Sequence, residues 1–211
     1  MKAAAFTRSH LPSAIDRKRK MKFPTSFTIE TSRCRLRHVS LEDIPHILSA
    51  TRYEGFNDGM LWYPPANEQE LIAPYETNVR AWASDYAYCF TIEEKESNEF
   101  IGRISIRPKE GSTWDFGFWT HPEKKNRGYM TEAVTALMRF GFEDLGASRI
   151  TACHAVWNRA SQAVLRKAGM QFIEYIPEGF EKNGKWVPEN LLCITRKEWE
   201  SNQAEHSTTR G

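Results

Sequence analysis

Apolar residues alternate with polar residues over several short stretches of the chain, and this pattern predicts β-strands. Three central strands are predicted over residues 87–93, 100–107 and 113–120, with turn-forming residues between them. Residues 27–29 and 34–38 show similar patterning and are predicted to form one interrupted first strand. Strands concentrated in the middle of a chain and bracketed by helical segments are typical of an α+β fold around one sheet.

The helical segments are recognised by the residues at their ends. Ser40 and Asp43 form a capping-box pattern that opens a first helix. A second helix is predicted over residues 68–84, and a third begins just after Gly128. The last predicted helix begins at Asn158, which is a favourable N-cap residue.

The most informative stretch joins an aromatic strand, a basic turn and an amphipathic helix over residues 116–134. The turn contains Lys124, Lys125, Arg127 and Gly128. Backbone N–H groups at the start of a helix have no partner within it, and the helix dipole adds partial positive charge there. The segment therefore predicts an anion site suited to phosphates. The alternative is a solvated run of charges before a surface helix.

A second segment begins at Asn158, directly after the strand-like residues 150–156. Together the two segments resemble the Gcn5-related N-acetyltransferase (GNAT) superfamily, whose acetyl-coenzyme A (acetyl-CoA) loop has the pattern Q/R-x-x-G-x-G/A. Residues 125–130 occupy that pattern, with Lys first and Met last. The longer string is similar to the RimJ/RimL-type branch of ribosomal-protein N-terminal acetyltransferases, over roughly residues 26–199. The residues that carry this similarity are Phe116, Gly117, Phe118, Trp119, Pro122, Gly128, Tyr129, Thr131, Glu132, Ala133, Asn158, Ser161, Leu165, Lys167, Gly169 and the segment 183–187.

The resemblance implies a single GNAT-type domain with a central mixed, mostly antiparallel, twisted sheet flanked by helices. It implies acetyl-CoA as co-substrate and no metal. The phosphates of coenzyme A need backbone amides and cations, whereas the uncharged pantetheine arm suits pairing with the edge of a strand. The residues expected to bind acetyl-CoA are Phe118, Trp119, Thr120, Lys125, Asn126, Arg127, Gly128, Tyr129, Met130, Asn158 and Ser161.

The implied reaction is direct attack of a neutral amine on the thioester, without a covalent enzyme intermediate. The tyrosine acid of many superfamily members falls on Leu165, and the RimL-like branch implies Ser161 as the catalytic acid instead. A helix serine that makes only a local bond is the alternative for Ser161. The glutamate base of that branch falls on Ile173, so we expect Glu174 to serve if a β-bulge turns it toward the substrate. The other candidates are a water relay or one of three side chains, Asp115, His154 and Glu178.

The acceptor is expected to be an amine, with a protein N-terminus favoured over a small-molecule amine or antibiotic. By the resemblance, the aromatic stretch 56–63 and the segment 175–186 are candidates for the acceptor pocket. A non-catalytic module that only binds acetyl-CoA is a rival hypothesis, supported by Lys125, Met130 and Leu165 where the superfamily has other residues.

Composition adds a basic extension to this domain. The chain has 211 residues, of which 40% are hydrophobic, enough for one buried core. Residues 1–22 hold seven basic residues against one acidic, a charge of +6, which leaves −4 for the remainder of a chain whose net charge is +2. We expect residues 1–22 to be a disordered tail, 23–200 the acetyltransferase domain and 201–211 a flexible C-terminal tail. Only the basic tail suggests contact with nucleic acid, and a tail without a partner is favoured.

Two further patterns bear on the cellular setting. No apolar run approaches the length that crosses a bilayer, and no secretory signal is present, so a cytoplasmic protein without a membrane partner is expected. The widely separated Cys34, Cys89, Cys153 and Cys193 predict reduced thiols rather than disulfides or a zinc site. The sequence leaves the oligomeric state open.

Overall fold

The computed structural model describes residues 21–208, which form an eight-stranded sheet with helices on both faces. The strand order is β1-β2-β3-β4-β5-β6-β8-β7, and every neighbouring pair is antiparallel except β5 and β6. The predicted α+β fold with a mixed, mostly antiparallel sheet is confirmed. The strands are β1 (Thr28–Glu30), β2 (Cys34–His38), β3 (Tyr88–Glu94), β4 (Phe100–Pro108), β5 (Thr113–Thr120), β6 (Arg149–Ala155), β7 (Gln171–Lys182) and β8 (Lys185–Thr195). The helices are α1 (Ile44–Thr51), α2 (Ile72–Ala83), α3 (Tyr129–Glu143), α4 (Arg159–Lys167) and α5 (Arg196–Thr208).

The prediction of one interrupted first strand was wrong, because β1 and β2 are two strands of an antiparallel hairpin. The chain reverses between Thr31 and Cys34. The backbone N–H of Thr31 donates to the Cys34 carbonyl at 2.9 Å, and the Cys34 N–H donates to Thr31 Oγ1 at 2.8 Å. The hydroxyl of a threonine thus closes a turn that alternation of apolar residues does not reveal.

The predicted capping box is present. Ser40 accepts from the first turn, and Asp43 accepts from the Ser40 N–H at 2.9 Å. The predicted second helix begins as a 3₁₀ turn over Glu68–Leu71 and continues as α2. Pro74 is tolerated there because it lies in the first turn of α2, where its missing N–H breaks no helical bond.

One face of the sheet, here called the helix face, packs against α3 and α4. A Cβ added to Gly141 of α3 would lie 2.7 Å from Ile150 Cδ1 of β6, so the helix backbone approaches the strand very closely. Leu137 of α3, Leu165 of α4 and Leu192 of β8 are completely or almost completely buried in the same core. Burying each such side chain stabilises the fold by roughly 1.5–3 kcal/mol.

The opposite face carries charged side chains and is here called the polar face. Side chains alternate along each strand, so residues paired across neighbouring strands share a face. Trp119 of β5 also belongs to this face, and it packs with Ile44 and Ile47 of α1 in a second, smaller core. The strand residues that define the polar face are Thr91, Arg103, Arg107, Asp115, Thr151, Cys153 and Glu189.

The ends of the folded unit differ from the predicted boundaries. Met21 packs against the main core, and the backbone N–H of Lys22 donates to Asp85 at 2.8 Å, so both belong to the domain and not to a tail. Helix α5 continues past residue 200 to Thr208, with Trp199 buried against Phe142 at 5.1 Å between ring centroids. The rest of the predicted basic tail, residues 1–20, lies outside the described residues, as do residues 209–211.

Candidate active site

The site lies where β5 parts from β6. The two strands pair only at Thr113–Asp115 with Arg149–Thr151, although β5 continues to Thr120. A cavity of about 970 Å³ passes this gap and is lined from both faces of the sheet. A pocket of this size that joins two faces of a sheet can hold a long ligand on one side and a second molecule on the other.

The edge of β5 beside this gap has backbone groups without a partner in β6. A Cβ at Gly102 would collide with the carbonyl oxygen of Trp119, so that carbonyl points towards β4. Backbone groups alternate in direction along a strand, and those of Phe118 and Thr120 therefore point to the open edge. The Trp119 side chain lies on the polar face, where it packs edge-on against Phe56 at 5.4 Å.

The basic turn follows β5 directly and leads into α3. Its backbone enters the left-handed region at Asn126 (φ 62°) and at Gly128 (φ 81°), which is the N-cap position of α3. Lys125 and Arg127 are exposed, and among the described residues neither side chain forms an ion pair. The structure thus brings the predicted residues from Lys125 to Met130 together at one helix start lining the cavity.

A contact that sequence reasoning missed holds this turn. Arg33, from the first hairpin, donates from Nη1 to the Arg127 carbonyl at 3.0 Å, and its guanidinium lies 4.8 Å from the centre of the Tyr129 ring. The same side chain donates from Nε to Glu132 at 2.9 Å. Hydrogen bonds with Glu132 raise the pKa of Arg33. Burial by itself would raise the pKa of Glu132, but the bonds from Thr31 and Arg33 outweigh it and lower that pKa. Arg33 and Glu132 are 99 positions apart in the sequence, and no local pattern predicts that they pair.

The start of α4 faces the cavity on the helix side. Asn158 caps α4 by accepting from the Ser161 N–H at 3.1 Å. His154 lies just before, buried, with Nδ1 donating to the Ala155 carbonyl at 2.8 Å. Its Nε2 is buried without a hydrogen-bond partner among residues 21–208. His154 is one of the residues that line the cavity.

On the polar face, the carboxylate of Asp115 has three side-chain partners. It forms ion pairs with Arg107 at 2.9 Å and Lys109 at 3.1 Å, and Thr151 Oγ1 donates to it at 2.9 Å. The carboxylate is buried and not turned to solvent. Asp115, one of the alternative bases, is thus held by two cations.

A second carboxylate of the polar face was not predicted. Glu189 of β8 lines the cavity, and its side chain forms no hydrogen bond or ion pair with any described residue. Burial raises the pKa of Glu189, and the nearby charge of Asp115 raises it further, against the opposing effect of Lys109. Burial also raises the pKa of the neighbouring Cys153 thiol to about 12, with Glu189 and Asp115 acting in the same direction. The thiol is therefore neutral near pH 7.

The structure does not bring Glu174 to the cavity. The strand pairing does shift between Phe172 and Glu174, at the place where a bulge was expected. Glu174 is nevertheless exposed on the edge strand β7 and absent from the cavity lining, as is Glu178. A catalytic role for Glu174 stays a prediction without support from its position.

A roof formed by residues 55–65 covers the polar side of the cavity. It is fixed to the β7–β8 hairpin by Lys182, whose ammonium donates to the carbonyl oxygens of Asn57, Met60 at 2.7 Å and Trp62 at 3.2 Å. Phe180 of the hairpin lines the same cavity. Both segments expected near the acceptor thus border this space.

Comparison with known proteins identifies the class. The family model of the acetyltransferase (GNAT) domain matches residues 33–171, and the protein is therefore an acyltransferase. The chain belongs to the GNAT family, as its resemblance predicted.

Individual relatives agree with this assignment. The uncharacterized N-acetyltransferase YnaD of Bacillus subtilis is 28% identical over 116 residues, which are 54% of this chain and 68% of YnaD. The uncharacterized N-acetyltransferase YoaA of the same organism is 24% identical over 176 residues, 80% of this chain and 96% of YoaA. RimL, a ribosomal L7/L12 α-N-protein acetyltransferase solved with coenzyme A, shares the fold with a TM-score of 0.72 at 19% identity, over 80% of this chain and 98% of RimL.

The described residues contain neither a metal centre nor a membrane-spanning helix. No group of His, Cys, Asp or Glu side chains within them is arranged to hold a metal ion, and all four cysteines are unbridged. None of the helices between residues 21 and 208 is long and apolar enough to span a bilayer.

Proposed function

We propose that this protein transfers the acetyl group of acetyl-CoA to the α-amine of a protein N-terminus. The observation that carries the proposal is the continuous cavity that joins the basic turn to the polar face through the β5–β6 gap. A thioester placed in that gap is reachable by an amine from the other side of the sheet.

The hydrogen-bond donors and cations that line the cavity on the helix face suit acetyl-CoA. Backbone N–H groups at Gly128 and the first turn of α3, together with Lys125 and Arg127, suit the phosphates. The open edge at Phe118 and Thr120 suits the amides of the pantetheine arm, since these pair like a neighbouring strand. The remaining predicted contacts are Trp119, Asn126, Tyr129, Met130, Asn158 and Ser161, which all line the cavity.

The chemistry requires positioning more than covalent catalysis. The thioester is already activated, and holding an amine near its carbonyl makes the attack effectively unimolecular. Ser161 is the group we assign to protonate the departing sulfur. An α-amine has a pKa of about 7.7–8.0 and loses its proton far more readily than lysine, at about 10.4. This difference, and the shared fold with RimL, favour an N-terminal acceptor.

An acceptor panel tests the proposal. Peptides with a free N-terminus, the same peptides blocked at the N-terminus but containing lysine, amino sugars and simple amines are incubated with acetyl-CoA. Thiol release is measured, and the product is located by mass spectrometry. We expect acetylation at free N-termini. Transfer only to amino sugars or small amines would support the small-molecule alternative, and saturable binding of acetyl-CoA without turnover would identify a non-catalytic module.

A further inference from the structure

Three carboxylates line the cavity within residues 21–208, and their surroundings differ. Glu70 accepts from the backbone N–H of Ala66 at 3.0 Å. Asp115 is held by Arg107, Lys109 and Thr151. Only the carboxylate of Glu189 has neither a hydrogen bond nor an ion pair with the described part of the chain. A half-buried carboxylate without a partner is costly unless another molecule satisfies it.

The strand register places Glu189 on the polar face beside the gap. It pairs with Ala155 of β6, two positions after Cys153 on the same side of that strand. Asp115 pairs with Thr151 and so shares this face. Glu189 therefore lies on the opposite side of the sheet from the basic turn, Asn158 and Ser161. This is the side from which an amine reaches a thioester in the gap.

The Glu189 side chain lies in the space that Gly179 of β7 leaves open. A Cβ added to Gly179 would lie 2.5 Å from Glu189 Cγ, 2.8 Å from its Oε2 and 2.8 Å from the Val187 carbonyl oxygen. The carboxylate thus occupies space that only a glycine leaves open. A larger residue at position 179 would force the carboxylate to move.

We infer that Glu189 is the catalytic base that binds the ammonium form of the acceptor and removes its proton. The inference rests on the proposed acetyl transfer and supplies the base for it. The Glu189 carboxylate takes one proton from R–NH₃⁺, and the nitrogen lone pair of R–NH₂ attacks the thioester carbonyl carbon. The C–N bond forms and the C–S bond breaks. The Ser161 hydroxyl gives its proton to the sulfur and regains one from the nitrogen, and Glu189 releases its proton to water.

Charges around Glu189 suit this role. Asp115 adds negative potential, and Lys109 and Arg107 are engaged by Asp115. The Cys153 thiol beside it is neutral near pH 7. Burial raises the pKa of Glu189 towards the working range, which makes the carboxylate a better base than an exposed glutamate.

The test compares Glu189→Gln with wild-type protein between pH 6 and 9, using the best peptide from the acceptor panel. At pH 7 we expect kcat/KM for the peptide to fall by about 10²-fold or more. The difference in kcat/KM between the variant and wild type should narrow by about tenfold by pH 9. Above its pKa of about 8 the α-ammonium group loses its proton to water and no longer needs the base. Affinity for acetyl-CoA, measured by calorimetry, should be unchanged. Gly179→Ala keeps the carboxylate, but its Cβ would clash with the Glu189 side chain and the Val187 carbonyl, so it should also lower kcat/KM.

Matched variants separate this role from its rivals. Glu96→Gln removes an exposed carboxylate from the β3–β4 turn, which lies outside the cavity lining, and should leave the pH profile unchanged. A Glu189→Gln enzyme within about twofold of wild type at every pH overturns the inference, since a general base contributes far more than that. A loss of kcat/KM that is the same at every pH also overturns the inference, because it indicates a structural role. The inference is likewise overturned if Glu174→Gln, and not Glu189→Gln, shows the expected pH profile. Wild-type protein that acetylates no amine overturns the proposed function along with the role of Glu189.

Discussion

The side chain of Asn158 accepts a hydrogen bond from the backbone N–H of Ser161, and this bond leaves the Ser161 hydroxyl without a partner among the described residues. The cap therefore uses the backbone of Ser161 and not its side chain. Ser161 is half-buried and lines the cavity, so its hydroxyl is free to bind a ligand there. The Ser161 hydroxyl can therefore be removed by mutation without removing the cap of α4.

Replacing Ser161 with Ala tests whether its hydroxyl protonates the departing sulfur of coenzyme A. The substitution removes only Oγ, so the cap and the stability of α4 should be retained. We expect kcat to fall by about 10²-fold, because the departing sulfur loses its proton donor. The measurement is steady-state turnover with acetyl-CoA and a peptide acceptor.

Asn158→Ala provides the contrasting variant. It removes the cap and should cost about 1 kcal/mol of unfolding free energy, measured with urea. A Ser161→Ala enzyme that keeps its full kcat would show that Ser161 is only a helix residue.

Gly128→Asp tests the basic turn. A carboxylate here would repel phosphates at a distance where one charge pair is worth about 1–4 kcal/mol, so we expect the affinity for acetyl-CoA to fall about tenfold or more. Calorimetry gives the dissociation constant. Gly111→Asp is the control, because Gly111 also has a positive φ (62°) but lies in the β4–β5 turn outside the cavity. Equal affinities in the two variants would remove the turn from its assigned role.

Much of the fold was predictable because its signals are local. The boundaries of β5 were predicted at Thr113 and Thr120, where the structure has them. The turn that precedes α3 and the cap at Asn158 also depend on neighbours in sequence. The prediction of a GNAT-type domain used these two segments, and it is confirmed.

The parts that sequence reasoning missed depend on distant partners. Glu189 approaches Asp115 only because β8 pairs with β6, which no local pattern on β8 specifies. The β1–β2 hairpin depends on the Thr31 hydroxyl. Lys182 is held by backbone carbonyls, which every residue has, so the sequence carries no sign of the contact.

Lys182→Met tests the roof. The ammonium is held by three carbonyl oxygens and lies 5.2 Å from the centre of the Tyr63 ring. Hydrogen bonds to a charged group contribute about 1.5–3 kcal/mol, so we expect a loss of that order in unfolding free energy and a higher KM for the acceptor. Lys185→Met, at the exposed end of the same hairpin, is the control. Unchanged acceptor KM in Lys182→Met would show that the roof does not shape the acceptor site.

Asp43→Asn tests the buried ionic cluster beneath α1. Asp43 is 1% exposed and accepts from Arg37 at 2.7 Å and from the Ser40 N–H at 2.9 Å. Burial alone would raise the pKa of Asp43, but the bonds from Arg37, Thr91 and Ser40 bring it below its usual value. The ionised form therefore stabilises the fold above the unfolded-state pKa of about 3.9, and this contribution is lost as pH falls through the lower folded-state pKa. Asp43→Asn should lower the unfolding free energy at pH 7 by about 3–5 kcal/mol, since it leaves Arg37 without one carboxylate.

The same variant should flatten the acid limb of the stability profile, because the introduced side-chain amide has no proton to gain in this range. Urea unfolding between about pH 2.5 and 7, which spans the carboxyl pKa values, measures both effects. Glu42→Gln is the matched control, since Glu42 is exposed in the same turn. If Asp43→Asn and Glu42→Gln lose the same stability at pH 7, the cluster contributes nothing beyond a surface charge.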